Sequence, residues 1–252
     1  MPQEDYILTT QGLSKSFSGF RAVSDIALRV KRGSIHALIG PNGAGKTTCF
    51  NLLTKFLPPT EGSIVYNGRD ITSTSAAGIA QLGLVRSFQI SAVFLHLTVL
   101  ENVRVALQRK RGASFDFWRP ARLLKQYDGA AMALLDEVGL ADVANLEATQ
   151  LSYGRKRVLE LATTLALEPE MMLLDEPMAG IGHEDIDRVS ALIRKVSAGR
   201  TILMVEHNLP VVANLSDTIT VLARGKVLAE GNYATVSTDP RVIEAYIGAE
   251  HA

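Results

Sequence analysis

Residues Gly40 to Thr48 have the types and the spacing needed to hold a chain of phosphates. They read Gly-Pro-Asn-Gly-Ala-Gly-Lys-Thr-Thr and follow a short apolar run that is typical of a buried strand. Glycines let the backbone curl so that successive amide hydrogens point at one anion, and a helix beginning here adds the positive end of its dipole. Lys46 supplies a charge for the β and γ phosphates, and Thr47 offers a hydroxyl ligand to Mg²⁺. The segment therefore matches the complete P-loop pattern and predicts a nucleoside triphosphate site.

Two later stretches place polar groups at the ends of short apolar runs. Met171-Met172-Leu173-Leu174 leads into Asp175-Glu176, and residues 201–205 lead into Glu206-His207. Buried parallel strands have this composition and deliver polar groups to the carboxyl edge of a sheet. Two adjacent acids could instead cap a helix, but the apolar run before them favours the sheet edge.

The rest of the chain predicts an α/β protein built around these segments. Residues 6 to 39 alternate in short runs broken by turn signals, which indicates antiparallel strands leading to the P-loop strand. A helix is expected from Lys46 to Phe56. Between about 90 and 166 apolar residues recur at helical spacing, which predicts a mostly helical subdomain. A crossover helix from His183 to Val196, a hairpin formed by Thr218 to Leu222 and Val227 to Ala229, and a final helix from Arg241 to Ile247 complete the pattern.

Composition narrows the possible classes of partner. The 252 residues contain 26 basic and 26 acidic side chains, so bulk electrostatics give no argument for nucleic acid. Cys49 is the one cysteine and is predicted to be a small packing residue in a reducing compartment. The start lacks a signal-peptide pattern, and no apolar run approaches the roughly 18 residues that a spanning helix needs. We expect a cytosolic protein, or one held at a membrane only through a partner.

A further stretch, Leu151-Ser152-Tyr153-Gly154-Arg155-Lys156, precedes the acids of the buried strand. With the P-loop, Gln89 at the end of a strand, Asp175-Glu176 and His207 in that order, the chain resembles the ATP-binding subunits of ABC transporters from end to end. The resemblance implies one ABC ATPase domain over residues 1–252, with the α/β P-loop NTPase fold. It also implies a RecA-like core, an antiparallel β subdomain and a helical subdomain inserted at residues 90–166.

The same resemblance implies ATP and Mg²⁺ as ligands and assigns roles to particular residues. Asp175 would hold Mg²⁺ through water, with Thr47 and Gln89 as the other metal-site residues. Glu176 would act as the general base, Gln89 would reach the attacking water, and His207 would contact the γ-phosphate. The implied nucleotide-binding residues are Phe17, Asn42, Gly43, Ala44, Gly45, Lys46, Thr47, Thr48, Ser152 and Gly154. Phe17 would stack on adenine, although taken alone it would be interpreted as a core phenylalanine.

Ser152 is predicted to cap the helix that follows it, from Tyr153 to Leu167. Its hydroxyl, the Gly154 amide and the helix dipole would form a second anion site. In ABC ATPases that site closes over the γ-phosphate held by the opposite subunit, so that two subunits enclose two ATP molecules. Without the other motifs, an ordinary capped helix would explain Ser152 as well.

The signature departs from the commonest family pattern, Leu-Ser-Gly-Gly-Gln. Tyr153 replaces the first glycine and Arg155 replaces the glutamine, where it could add positive charge near phosphate or simply be solvated. Gly182 stands where many members have an aspartate that connects the two sites of the dimer. These departures make an unlike partner subunit plausible.

The Leu-Ser-Tyr-Gly signature, the extra segment from Arg109 to Arg122 and the tail from Asp239 to Gly248 resemble the LivG-type ATPase of branched-chain amino acid importers. Such importers combine two unlike ATPases, two unlike integral-membrane permeases and an extracytoplasmic solute-binding protein. The resemblance implies a peripheral subunit at the cytoplasmic face of the inner membrane, serving branched-chain amino acids or related small polar solutes. The stretch Phe94-Leu95-His96-Leu97 is a candidate apolar socket for a permease helix.

Three other readings remain open from the sequence. One is the ATPase of a lipopolysaccharide exporter, whose tail is similar but whose signature more usually keeps Gly-Gly. Another is a soluble ABC ATPase acting on ribosomes or DNA, although such proteins generally carry two cassettes or basic extensions. The third is a small-molecule P-loop kinase, which would need a lid and an acceptor site in place of residues 151–156.

Overall fold

The structure of the protein is a computed structural model that describes residues 5–87, 93–108 and 121–247. The chain forms two compact units. The first unit is formed by the chain up to Arg86, residues 170–177 and the chain from Arg194 onwards. The second comprises residues 87–169 and 178–193. The described part of the chain contains no helix that is both long enough and apolar enough to cross a membrane.

The strands and helices follow one another along the whole chain. In chain order the strands are β1 (Tyr6–Phe17), β2 (Phe20–Ile26), β3 (Arg29–Lys31), β4 (Ile35–Ile39), β5 (Glu61–Tyr66), β6 (Arg69–Asp70), β7 (Leu84–Ser87), β8 (Met171–Asp175), β9 (Thr201–Val205), β10 (Thr218–Ala223) and β11 (Lys226–Gly231). The helices are α1 (Lys46–Leu53), α2 (Ala76–Gln81), α3 (Val99–Gln108), α4 (Asp128–Glu137), α5 (Tyr153–Leu165), α6 (His183–Val196), α7 (Leu209–Leu215), α8 (Tyr233–Ser237) and α9 (Pro240–Ile247).

A mixed sheet carries the predicted site. Its strand order is β11-β10-β4-β9-β8-β7, and β10, β4, β9 and β8 pair in parallel. Every residue of β4, β8 and β9 is buried, as expected for strands covered on both faces. The antiparallel pairing of β10 with β11 confirms the predicted hairpin.

A second sheet is antiparallel and is formed by the alternating N-terminal segment. β1 pairs with β2, β3 and β5, and β5 pairs with β6. Apolar side chains from both sheets and from α1 share one buried core. Cys49 lies fully buried in this core, and burial raises the pKa of its thiol to about 12, so the prediction of a packing role is confirmed.

The second unit is mainly helical in its described residues. α3 buries Val99, Val103 and Leu107, which lie on one face at the spacing that predicted the helix. α4 and α5 follow, connected by short 3-10 turns. Most of the segment from Lys110 to Arg122, which the sequence left without an assignment, lies outside the described residues.

Two helices are shorter than predicted. α1 ends at Leu53 rather than Phe56, because Lys55 takes a left-handed conformation with a φ of 60° and the Thr54 hydroxyl donates to the Phe50 carbonyl. α5 ends at Leu165 rather than Leu167, and Glu168 also has a positive φ, 48°.

Candidate functional site

The P-loop connects the end of β4 to α1, as the sequence predicts. Gly43 and Gly45 have φ values of 76° and 99°, which glycine adopts readily. A Cβ on Gly45 would lie 2.9 Å from the Ala22 carbonyl oxygen, so a side chain there would meet backbone. The Gly225 amide donates to the Ala44 carbonyl at 3.0 Å and ties the loop to the turn between β10 and β11. The loop is therefore held in the curled form that an anion needs.

Lys46 is half-buried and folds back over the loop. Its Nζ donates to the carbonyl oxygens of Gly40 at 2.6 Å and Pro41 at 3.0 Å. Burial lowers the pKa of Lys46, while the negative charge of Glu176 acts in the opposite direction. The structure thus brings the P-loop lysine into electrostatic reach of the predicted general base.

Both predicted acids stand at the carboxyl end of β8. The Asp175 side chain is only 3% exposed, whereas Glu176 is partly exposed. Glu176 adopts a φ of 48°, an uncommon conformation for a residue with a side chain, and its amide donates to the Val205 carbonyl at 2.9 Å. Residues held in sparsely populated backbone regions cluster at functional sites.

The neighbouring strand β9 ends at the predicted histidine. Glu206 is fully buried, and its carboxylate accepts the amides of His207 at 3.0 Å and Asn208 at 3.2 Å. Asn208 in turn caps α7, because its side chain accepts from the Val211 amide at 3.2 Å. These bonds present His207 as an exposed side chain beyond the sheet edge. Since β9 lies between β4 and β8, the P-loop, the acids and His207 follow three adjacent parallel strands.

Phe17 is the last residue of β1 and is 41% exposed, so it is available for stacking and is not a core residue. It pairs across the hairpin with Phe20, which is 69% exposed.

We expect Phe17→Ala to weaken ATP binding about 5- to 150-fold, because stacking a base on an aromatic ring contributes roughly 1–3 kcal/mol. Titration of the purified chain with a fluorescent ATP analogue measures the affinity. Phe20→Ala is the matched control and is expected to bind ATP like the wild type. An unchanged affinity in Phe17→Ala, or an equal loss in both variants, would show that Phe17 is not the adenine platform.

The donor set at this sheet edge suits Mg²⁺. Asp175 supplies a carboxylate and Thr47, exposed at the start of α1, supplies a hydroxyl, both of them hard oxygen ligands. No group of three or more histidine, cysteine or acidic side chains able to hold a metal occurs among the described residues. Mg²⁺ does not need one, since it keeps several waters and usually binds one or two carboxylates with substrate phosphates. Gln89, the third predicted metal-site residue, lies outside the described residues.

A cavity of about 670 Å³ adjoins the P-loop in the first unit. Asn42, Gly43 and Ala44 line it together with residues of β10, β11 and α9. Arg224, Lys226 and Arg241 contribute positive charge to its wall, and Glu244 contributes one negative charge. The surroundings of the loop therefore favour an anionic ligand.

The second unit contains the predicted signature at the start of α5. The Ser152 hydroxyl caps the helix by accepting from the Arg155 amide at 3.3 Å, which confirms the predicted cap. The Arg155 side chain forms an ion pair with Asp142 at 3.2 Å, an arrangement that the sequence did not predict. Gly154 is buried, and a Cβ there would collide with the Asp185 carboxylate.

Tyr153, which replaces the first signature glycine, packs on the segment after the acids. A Cβ on Gly180 would lie 3.0 Å from its ring, and Gly180 has a φ of 74°. The Tyr153 hydroxyl accepts from Arg157 at 3.0 Å, and Arg157 pairs with Glu160 at 2.8 Å. Tyr153 therefore contacts both Gly180 and Arg157 within the second unit.

Comparisons with known proteins identify the family of this chain. A family described as "ABC transporter" matches residues 23–179, and one described as "Branched-chain amino acid ATP-binding cassette transporter" matches residues 226–252. The chain is 38% identical over 252 residues to the high-affinity branched-chain amino acid transport ATP-binding protein BraF of Pseudomonas aeruginosa, covering 96% of this chain and 98% of that protein. It is 36% identical over 249 residues to the corresponding protein LivG of Escherichia coli, with the same coverage.

Solved structures of proteins from ABC transporters have the same fold. The ADP conformation of MJ1267, an ATP-binding cassette of an ABC transporter, superposes with a TM-score of 0.84 at 29% identity, covering 96% of this chain and 99% of that one. CbiO1 from Clostridium perfringens, part of the transporter complex cbiONQ, superposes with a TM-score of 0.78 at 28% identity, covering 96% and 94%.

Proposed function

Because this chain belongs to the ABC transporter family of ATP-binding proteins, we propose that it is the ATP-hydrolysing motor subunit of an importer for branched-chain amino acids or related small polar solutes. The solute class is supported by the names of the relatives and by the match of residues 226–252 to the branched-chain family. The chemistry is supported by one observation above the others. The P-loop, the acids and His207 follow the adjacent parallel strands β4, β8 and β9.

In this proposal each group acts on ATP from its place at the sheet edge. The P-loop amides and Lys46 bind the β and γ phosphates. Glu176, whose negative charge acts to raise the pKa of Lys46, accepts a proton from the attacking water. His207 orients the water and the γ-phosphate. The backbone amide of His207 donates to the Glu206 carboxylate, which holds the residue in place. Bound Mg²⁺, held by Thr47, Gln89 and, through water, Asp175, would offset phosphate charge.

We propose that the motor works as a dimer of ATPase subunits. Ser152 and the exposed start of α5 would bind the γ-phosphate held by the opposite subunit, as an anion site formed by a capped helix. Gly182 in place of an aspartate favours a partner of different sequence. Residues 90–166 would act as the inserted helical subdomain within the single ABC ATPase domain of residues 1–252.

The second unit also carries a candidate surface for the permeases. Phe94 and Leu95 are 55% and 42% exposed, and Leu146, 42% exposed, joins them because the Thr149 amide donates to the Leu95 carbonyl. Asn102 is buried and fixes this loop: its side chain accepts from the Phe94 amide at 2.7 Å and donates to the Phe94 carbonyl at 3.1 Å. We call Phe94, Leu95 and Leu146 the docking patch. Exposed apolar groups on a rigid loop fit an apolar partner helix.

Phe94→Glu is expected to abolish transport by the assembled complex while leaving the basal ATPase rate of the isolated subunit within about twofold of the wild type. Introducing a charge into the docking patch costs desolvation on assembly, whereas surface substitutions usually change stability by less than about 0.5 kcal/mol. Solute uptake and phosphate release are measured in parallel. Tyr233→Glu, a similar change at an exposed aromatic side chain of α8, is the control and is expected to affect neither. An equal loss of both activities in Phe94→Glu would contradict the docking role.

The partners are tested by isolating the tagged protein from its native membrane. We expect a second ABC ATPase and two integral-membrane permeases to copurify, with the solute-binding protein joining from the extracytoplasmic side. This result would place the chain peripherally at the cytoplasmic face of the inner membrane. Recovery with a single exporter-type permease, or with ribosomes, would contradict the importer proposal and leave the ATP site intact.

A further inference from the structure

Asp175, the carboxylate that the proposed function assigns to Mg²⁺, is already paired with a cation. Its side chain is 3% exposed, and Arg86 Nη2 on β7 donates to its Oδ2. The Arg86 side chain is itself only 11% exposed. A buried carboxylate without a counter-charge is strongly destabilising, so this ion pair supports the fold while no metal is bound.

Arg86 is fixed on its other side by α1 and the segment that follows it. Arg86 Nη1 donates to Asn51 Oδ1 at 2.6 Å. The guanidinium also lies 5.9 Å from the ring centre of Phe50 and 5.8 Å from that of Phe56, within the range of cation–π attraction. The helix that begins at the P-loop therefore determines where Arg86 holds the Asp175 carboxylate.

The position of Asn51 on α1 determines which face of the helix Arg86 and Asp175 are connected to. Asn51 follows Thr47 by four residues, so the two side chains lie on the same face of the helix, one turn apart. The connected side chains Asn51, Arg86 and Asp175 consequently tie the carboxylate to the face of α1 that carries the Thr47 hydroxyl. Asp175 and Thr47 supply two of the oxygen groups of the proposed metal site.

We propose that Arg86 is a positioning residue of the metal site, holding Asp175 toward the Thr47 face of α1 and compensating its charge until Mg²⁺ binds. The inference rests on the proposed function, since it concerns the same ATP site. This role of Arg86 predicts a coupling between the ion pair and Mg²⁺ that a purely structural ion pair would not have. Bound Mg²⁺ supplies a second counter-charge, so a chain without the Arg86 charge depends on Mg²⁺ for stability more than the wild type does.

Thermal unfolding of the full chain tests this without measuring hydrolysis. Melting temperatures are recorded without nucleotide, with ADP and EDTA, and with ADP and Mg²⁺, for the wild type, Arg86→Gln and Arg86→Lys. In EDTA we expect Arg86→Gln to melt about 6 °C or more below the wild type, the scale for breaking a buried ion pair in a chain of this size. Mg²⁺ should raise its melting temperature by at least twice the wild-type increment. Arg86→Lys keeps the charge and is expected to retain an increment near the wild-type value.

A double variant separates the charge of Arg86 from its packing. Arg86→Gln combined with Asp175→Asn removes both charges and should recover most of the stability lost in EDTA, while losing the enlarged response to Mg²⁺. A Mg²⁺ increment in Arg86→Gln no larger than that of the wild type, or no recovery in the double variant, would overturn the inference. A wild-type chain whose melting temperature responds to neither ADP nor Mg²⁺ would instead contradict the proposed function.

Discussion

Replacing Glu176 by glutamine is expected to lower the rate of ATP hydrolysis by about 10²- to 10⁴-fold, the usual contribution of a general base. ATP binding should persist, because the amide is nearly isosteric and the P-loop contacts are untouched. The structure supports the role because Glu176 directly follows β8 and because its negative charge acts to raise the pKa of Lys46. Phosphate release by the purified chain gives the rate, and titration with a fluorescent ATP analogue gives the affinity.

Glu184→Gln is the matched control for this experiment. Glu184 is an exposed acid in the first turn of α6 and is expected to be replaceable without loss of turnover. Turnover of Glu176→Gln equal to that of the wild type would remove Glu176 from the role of base.

Replacing Lys46 by alanine should affect both binding and chemistry. A hydrogen bond to a charged group contributes about 1.5–3 kcal/mol, so ATP affinity is expected to fall about 10- to 150-fold. Turnover at saturating ATP should fall by a further 10²- to 10³-fold or so, because the developing charge of the transition state loses a preorganised cation. Lys46 is suited to this task since burial has already removed part of its hydration, as the lowered pKa indicates.

Lys31→Ala, at an exposed lysine of β3, is the control for Lys46 and is expected to keep wild-type affinity and turnover. If Lys46→Ala bound and hydrolysed ATP normally, the Gly40 to Thr48 segment would not be the phosphate site.

The family and the fold class were predictable because their signals are local and ordered along the chain. The P-loop, the apolar run ending in Asp175 and the signature at Ser152 each occupy a few consecutive residues, and the family matches confirm the resemblance drawn from their order. The buried parallel strands were recognisable from uninterrupted apolar runs, and α6 from its helical spacing.

Contacts between distant segments were not predictable from the sequence. The ion pair of Arg86 with Asp175 joins two strands far apart in the chain, and an arginine in a strand pattern is usually interpreted as solvent-facing. Leu146 joins the docking patch only because its segment runs beside residues 95–99. The buried Glu206 gave one signal that was missed, an acid directly after an apolar strand and two residues before an Asn-Leu-Pro helix start.

Uptake of labelled leucine into vesicles that contain the complex isolated with this chain tests the proposed importer function most directly. We expect uptake driven by ATP, competition by isoleucine and valine, and loss of uptake when the complex carries Glu176→Gln. ATP hydrolysis by the wild-type complex without uptake of any of these amino acids would contradict the proposed importer. Uptake that persists with Glu176→Gln would contradict the assignment of this chain as its motor.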